Sequence, residues 1–194
     1  MKPELKRRIA ELKGFQNPKA SLEQYITPPE LVSDLVYTAY MQGDLEGKKV
    51  VDLGSGTGSF AIAAALLGAE VTAVEKDSEA LETLRENIKA AGVEIEVIGR
   101  DIRDLDCEFD TVFMNPPFSV HTELGEEFVR KALEIGDVIY AVLNPKLKER
   151  LKEFSDLHEL KEAETYEISL PPTLAFHTEE RHIIEVEAVH VRKQ

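Results

Sequence analysis

Asn115-Pro116-Pro117-Phe118 is the segment of this sequence whose residue types constrain a chemistry most narrowly. Two successive prolines remove two backbone donors and stiffen the chain, so the loop presents acceptors. The Asn115 side-chain oxygen and the Pro116 carbonyl are suited to take the two hydrogens of an aromatic amine. Such an amine is a poor nucleophile, because its lone pair is delocalised into the ring. Holding both hydrogens favours a more tetrahedral nitrogen and aims its lone pair at an electrophilic carbon, which is catalysis by positioning and by stabilising positive charge on nitrogen. Neither residue need be a strong base. Phe118 adds a ring on which a splayed-out base can stack, worth about 1–3 kcal/mol. Without its neighbours, the same tetrapeptide is a proline turn followed by a core Phe.

The neighbours are a glycine-rich run and three acids. Asp52-Leu53-Gly54-Ser55-Gly56-Thr57-Gly58 follows a short apolar stretch and precedes an Ala-rich one, where glycine permits a tight turn and lets a ligand lie on bare backbone. With Gly54, Gly56 and Ser59, the third glycine of the dinucleotide pattern is missing. Asp52, directly before the turn, would repel a pyrophosphate but can accept hydrogen bonds from the amino-acid part of a cationic sulfonium cofactor. Glu75, about 20 residues on, suits two ribose hydroxyls. Two positions on stands Asp77 rather than an Arg that would accept a 2′-phosphate. Asp101 is placed to accept from an adenine amino group, with Ile102 against the ring. Each acid alone reads as solvated or as a helix cap; in this order they predict a cofactor site that includes Gly54, Ser55, Gly56 and Asn115.

Elements that position these residues follow from periodicity and punctuation. Pro3 to Lys13 reads as an amphipathic helix ended by Gly14-Phe15-Gln16-Asn17-Pro18, and Pro28-Pro29-Glu30 opens a second helix that runs to Gly43. Strands are predicted at 50–53, 70–75, 95–98, 110–114 and 138–143, and helices at 60–67, 78–91, 123–135 and 146–154. Such alternation implies a parallel sheet covered on both faces. Tyr166 to Leu170 and His182 to Val191 instead suit an antiparallel hairpin at one edge. Every strand-to-loop transition named above places its acid, glycine or Asn at the carboxyl edge of the sheet.

No internal repeat or linker divides the 194 residues, so a single domain over 1–194 is expected, with a basic helical lid segment at 1–45 and a catalytic core at 46–194. No apolar run reaches the roughly 20 residues of a membrane span and the N-terminus lacks a secretory leader, which predicts a cytoplasmic protein. Cys107 is the one cysteine, excluding an intrachain disulfide and a cysteine-based zinc cluster, and is expected to be a buried, inert thiol. A net charge of −14 argues against a nucleic-acid partner. Its distribution argues the other way, since the first 20 residues carry Lys2, Lys6, Arg7, Arg8, Lys13 and Lys19 against Glu4 and Glu11. That run is equally a phosphate-binding arm or a solvated helix face. Lys146, Lys148, Arg150 and Lys152 form a second basic patch, offset by Glu149 and Glu153. His121 and His177 are placed to touch RNA near the site, whereas His158, His182 and His190 are scattered, and no pair has metal-ligand spacing.

The glycine run, Glu75, Asp101 and Asn115-Pro116-Pro117-Phe118 resemble the ordered motifs of class I amino-methyltransferases. Two further segments, Leu22-Glu23-Gln24-Tyr25-Ile26-Thr27-Pro28 and the tail around Leu170-Pro171 and Phe176-His177, narrow the resemblance to the methyltransferase-like protein 5 family, in a prokaryotic or archaeal form. The likeness covers most of the chain from about residue 20. It implies a Rossmann-like α/β fold whose seven-stranded, mostly parallel sheet has a reversed last strand. The implied activity is S-adenosylmethionine-dependent methylation of the 6-amino group of an adenosine in small-subunit ribosomal RNA, without a metal and with S-adenosylhomocysteine as product. It further implies that Gln24, Tyr25 and Thr27 close over the methyl donor, that Asn115, Pro116, Pro117 and Phe118 are catalytic, and that a small zinc-binding activator subunit is a partner. Ser119-Val120-His121 departs from the basic residues that commonly follow this motif in relatives. From the residues alone, methylation of a release-factor glutamine or of DNA adenine stays open, as does a non-catalytic RNA-binding role. A dinucleotide oxidoreductase is disfavoured by Asp52, Ser59 and the proline loop.

Overall fold

The computed structural model describes residues 1–118, 123–155, 158–170 and 182–194. His121, the rest of the Ser119-Val120-His121 departure, and the Pro171, Phe176 and His177 part of the tail motif lie outside the described residues. The chain runs through α1 (Lys2–Ala10), α2 (Pro29–Met41), β1 (Lys49–Leu53), α3 (Ser59–Leu66), β2 (Glu70–Val74), α4 (Ser78–Ala91), β3 (Ile95–Ile98), β4 (Phe109–Met114), α5 (Leu124–Ile135), β5 (Gly136–Leu143), α6 (Pro145–Phe154), β6 (His158–Leu170) and β7 (His182–Lys193). The strands form one seven-stranded sheet in the order β3-β2-β1-β4-β5-β7-β6. β1 to β5 pair in parallel, while β7 runs antiparallel to both β5 and β6. The mostly parallel sheet with a reversed last strand is thus as the resemblance implied.

Alternation along the central strands sends side chains to two separate cores. Val50, Phe113, Tyr140 and Val142 face α1, α2 and α3, while Val51, Leu53, Val112, Met114, Ile139 and Leu143 face α5 and α6. Burial on both faces is why these strands read as unbroken apolar runs. Phe113, Tyr140 and His190 lie in register on β4, β5 and β7, and their rings stack at centroid distances of 5.4 and 4.5 Å. The Tyr140 hydroxyl donates to the buried Asp44 carboxylate at 2.6 Å, which also accepts from Arg192 at 2.8 Å. His158 packs its ring nitrogen 3.1 Å from the Gly136 carbonyl. These two histidines are therefore core residues, in keeping with their scattered spacing.

Three expectations are corrected. α1 ends at Ala10, not Lys13, because the main chain of Lys13 is taken by Asn87 of α4, which accepts from Lys13 N and donates to Lys13 O, each at 2.9 Å. β6 begins at His158, well before Tyr166, since pairing along the whole of the similarly long β7 overrides the helical propensity of Glu159-Leu160-Lys161-Glu162-Ala163-Glu164. Cys107 is exposed, not buried, because it lies between exposed Asp106 and Glu108 in the connection entering β4, away from both cores.

The sheet changes direction of growth at β1, which has β2 on one side and β4 on the other. Ligands bind open α/β sheets at this switch point, beyond the carboxyl ends of the strands. The glycine run leaves β1 there and the proline loop leaves β4 beside it.

Candidate active site

Gly54 and Gly56 have positive φ values of 68° and 53°, a region that L side chains rarely enter. A Cβ on Gly54 would sit 2.8 Å from the Phe128 ring, and one on Gly56 would sit 2.8 Å from the Phe15 ring. The loop therefore has to be bare backbone, and it forms one wall of an open cleft, ≈ 940 Å³ with the solvent at its mouth included.

The acids hold this wall in place as well as lining it. Buried Asp52 points to the α3 side of β1 and its Oδ2 accepts from Ala61 N at 2.9 Å, capping the first turn of α3. Burial, with the Glu75 charge nearby, pushes its carboxyl up to about 7 against the opposing Ala61 bond. Glu75 accepts from Gly56 N at 2.8 Å through Oε2, and from Lys76 N at 2.9 Å and Asp77 N at 2.8 Å through Oε1. Three of roughly four acceptor positions are in use, leaving room for one further donor, on Oε2. Asp101 takes the guanidinium of Arg103 at 2.9 and 3.0 Å, which holds its carboxyl down at about 2 against burial. Ile102 is buried beside it on the cleft wall.

The opposite wall is the N-terminal segment. Gln24, Tyr25 and Thr27, expected to close over a methyl donor, line the cleft. The Tyr25 hydroxyl donates to Asn115 Oδ1 at 2.8 Å, and Asn115 Nδ2 donates to Thr27 Oγ1 at 2.9 Å, so the Asn115 amide is oriented from both ends. Burial keeps the Tyr25 hydroxyl protonated far above the ordinary tyrosine range, making it a dependable donor. Gln24 Nε2 donates to Asp77 Oδ2 at 2.6 Å and Lys19 pairs with Asp77 Oδ1. Burial raises the Asp77 carboxyl, but these two bonds outweigh it and leave it below the usual range.

Asn115 and Pro117 line the cleft together with Asp52, Glu75 and Asp101, whereas Asp77, Pro116 and Phe118 do not. Asp77 caps α4 by accepting from Glu79 N and anchors the N-terminal segment, so its carboxylate is spent on the fold. Pro116 is buried behind the wall. Phe118, expected to offer a free ring, is wedged half-buried between the two cores, with its centroid 5.9 Å from that of Tyr25.

The basic N-terminal run has a partner for every cation. Lys2 pairs with Asp34, Lys6 with Glu30, Arg7 with Glu4 and Glu11, Lys13 with Glu86 and Lys19 with Asp77, while Arg8 donates to the Ala91 carbonyl. Arg7 pairs within the segment itself, and the other five dock it on α2 and α4. On α6, Lys148 pairs with Glu187 and Arg150 with Glu126 and Glu153. Among the described residues no group of His, Cys, Asp or Glu could hold a metal ion, and no helix is long and apolar enough to cross a membrane.

Four residues escaped the sequence reading. Phe15 covers Gly56, Phe128 backs Gly54, Glu23 accepts from Phe118 N at 2.6 Å, and buried Asn87 ties Lys13 to Thr57 O. Asn87 gave a signal, since it stands among the apolar positions Leu81, Leu84 and Ile88 of α4. Phe15 gave another, as the one aromatic in a polar turn.

The family described as methyltransferase small domain matches residues 33–169. An uncharacterised protein of Methanocaldococcus jannaschii is 33% identical, over 98% of this chain and 93% of its own. The rRNA N(6)-adenosine-methyltransferase METTL5 of Danio rerio is 28% identical over 96% of both chains. A crystal structure from Pyrococcus horikoshii, of a protein described as a candidate RNA methyltransferase, superimposes with a TM-score of 0.91 at 38% identity, covering 99% of this chain and 97% of that one.

Proposed function

This chain belongs to the methyltransferase small-domain family, in its methyltransferase-like protein 5 group, and from that premise we propose that it methylates the 6-amino group of an adenosine in RNA. The observation that carries the reading is that Asn115, pinned by Tyr25 and Thr27, lines the same cleft as the glycine loop. The acceptor set fits S-adenosylmethionine: Asp52 and Glu75 suit a cationic amino acid and a ribose, Asp101 takes an adenine amine in exchange for one of its bonds from Arg103 or Lys76, and the bare loop admits close approach. When bound, that cofactor supplies an electrophilic methyl group on a sulfonium. On this reading Asp52, with one oxygen not used by Ala61 N, would accept from the ammonium end, and the acceptor position left on Glu75 would take a ribose hydroxyl. Asn115 Oδ1 keeps a lone pair besides the one Tyr25 uses, and this is the acceptor for a hydrogen of the target amine. The amine needs no base before attack, because the nitrogen loses its proton to water once it carries positive charge.

Ribosomal RNA is the favoured substrate, supported by the activity named for the Danio rerio relative. We read residues 1–194 as one methyltransferase domain in which 1–45 covers the cleft, acting in the cytoplasm. A small zinc-binding activator subunit is proposed from the sequence motifs. The test is to incubate the protein with isotope-labelled S-adenosylmethionine and, in parallel, ribosomal RNA, a DNA oligonucleotide and a glutamine-bearing release-factor peptide. N6-methyladenosine recovered from the RNA digest supports the reading. Label confined to DNA, peptide or another nucleoside rejects it.

A pH effect follows from Asp52. Its folded carboxyl is raised to about 7, so lowering the pH through 7 protonates it while the protein is still folded. A cationic ligand prefers the ionised form, and affinity therefore falls with acidification, by up to about tenfold per unit below the pKa. Asp52→Asn keeps an acceptor for Ala61 N but cannot titrate. Calorimetry between pH 8 and 6 should show wild-type affinity for S-adenosylmethionine weakening relative to this variant. Parallel curves for the two proteins would remove Asp52 from the ligand site.

A further inference from the structure

Pro116 and Pro117 lack amide hydrogens, so the first backbone donor after Asn115 is the Phe118 N–H. Glu23 takes it, at 2.6 Å, across 95 residues of sequence. On the other side, the Asn144 side chain, which caps α6, donates to the Phe118 carbonyl at 3.1 Å. Both main-chain groups of Phe118 are thereby held by side chains from different elements, and the proline loop is stretched between them and β4. Glu23 itself adopts φ 49°, and is the only non-glycine residue with positive φ among those described. That left-handed residue ends the short 3-10 turn Ala20–Leu22, where Glu23 N donates to the Ala20 carbonyl at 3.1 Å and Gln24 N to the Lys19 carbonyl at 3.4 Å. Here the left-handed turn directs the Glu23 carboxylate at the loop, while Gln24 and Tyr25 continue to Asp77 and Asn115.

From this geometry we infer that Glu23 is a positioning residue for methyl transfer, latching the N-terminal segment to the catalytic loop so that Asn115 and Pro117 keep their place on the cleft wall. The inference rests on the proposed methyltransferase reading. Displacing a reacting group by about 1 Å costs on the order of a hundredfold in rate. Loss of the latch therefore acts on kcat more than on the apparent KM for S-adenosylmethionine, whose wall of glycine loop and acids is held independently by Asp52 and Glu75.

The test compares Glu23→Ala, Glu23→Gln and Asn144→Ala with wild type. Glu23→Ala is expected to lower kcat by about thirtyfold to a hundredfold, with KM for the cofactor changed by less than about fivefold. Glu23→Gln, whose side-chain oxygen still accepts from Phe118 N, restores turnover to near wild type. Asn144→Ala, which frees the other side of Phe118, lowers kcat in the same sense. Hydrogen exchange reads the latch without any substrate: protection of the Phe118 amide drops in Glu23→Ala and is retained in Glu23→Gln. Unchanged kcat in Glu23→Ala, equal losses in Ala and Gln, or undiminished Phe118 protection in Glu23→Ala each overturn the latch. If Glu23→Ala fails to fold, the Gln and Asn144 variants decide by the same readouts. Wild type inert on RNA, DNA and the glutamine-bearing peptide would reject the enzymatic reading while leaving the exchange result to stand or fall by itself.

Discussion

Asn115→Ala is expected to lower methyl transfer by about a thousandfold, while S-adenosylmethionine affinity changes by less than about tenfold. The size follows from two losses. Removing one pre-positioned polar partner of a developing charge costs about 10²–10³ in turnover. In addition, the Tyr25 hydroxyl and the buried Thr27 hydroxyl lose their shared partner, which loosens the segment that covers the cleft. Affinity suffers less because the acids and the glycine loop on the opposite wall are tied to one another and not to Asn115. Asn115→Asp is the informative companion: it keeps an acceptor for Tyr25, and Thr27 can reverse its role to donate, so partial turnover should survive. Single-turnover kinetics with bound cofactor would measure both. Turnover in the Ala variant within tenfold of wild type would mean that the loop does not hold the reacting amine.

That prediction could be framed from sequence because the chemistry-bearing residues sit at strongly punctuated boundaries. Val50-Val51-Asp52-Leu53 ends in glycines and Thr111-Val112-Phe113-Met114 ends in prolines, so strand, exit and sheet edge were all legible from apolar runs and breakers. The N-terminal segment was legible only in part. Its helix and its charges could be counted, yet the pairing of Lys2 with Asp34 and of Lys13 with Glu86 spans tens of residues that no local pattern connects. The basic run thus turned out to be joined to the acidic body it was contrasted with. Asp77 fell to the fold rather than to the cleft for a similar reason, since an acid two positions past a Glu that suits a ribose is equally good as a helix cap, and only the docking of Lys19 and Gln24 separates the two roles. Phe118 shows the limit most clearly: an aromatic beside a proline loop reads as a stacking platform, but its ring is drawn into the seam between two cores that sequence does not locate.

Glu75→Ala is expected to weaken S-adenosylmethionine binding by at least about a hundredfold and to lower unfolding free energy by about 3 kcal/mol. The carboxylate is buried, and it collects the amides of Gly56, Lys76 and Asp77. Truncation strands three donors, each costing about 1–3 kcal/mol if left dry, and water from the adjoining cleft recovers part of that sum. The binding loss has two sources, the missing acceptor for a ribose hydroxyl and the released Gly56 turn. Glu75→Gln separates them from stability. Its single oxygen can still serve Lys76 and Asp77, but an amide group now confronts the Gly56 N–H, donor against donor. Stability should therefore return most of the way while affinity stays low. Denaturant midpoints and calorimetric titration on the same preparations give the comparison. Affinity within threefold of wild type in the Ala variant would show that the knot at the end of β2 serves the fold alone.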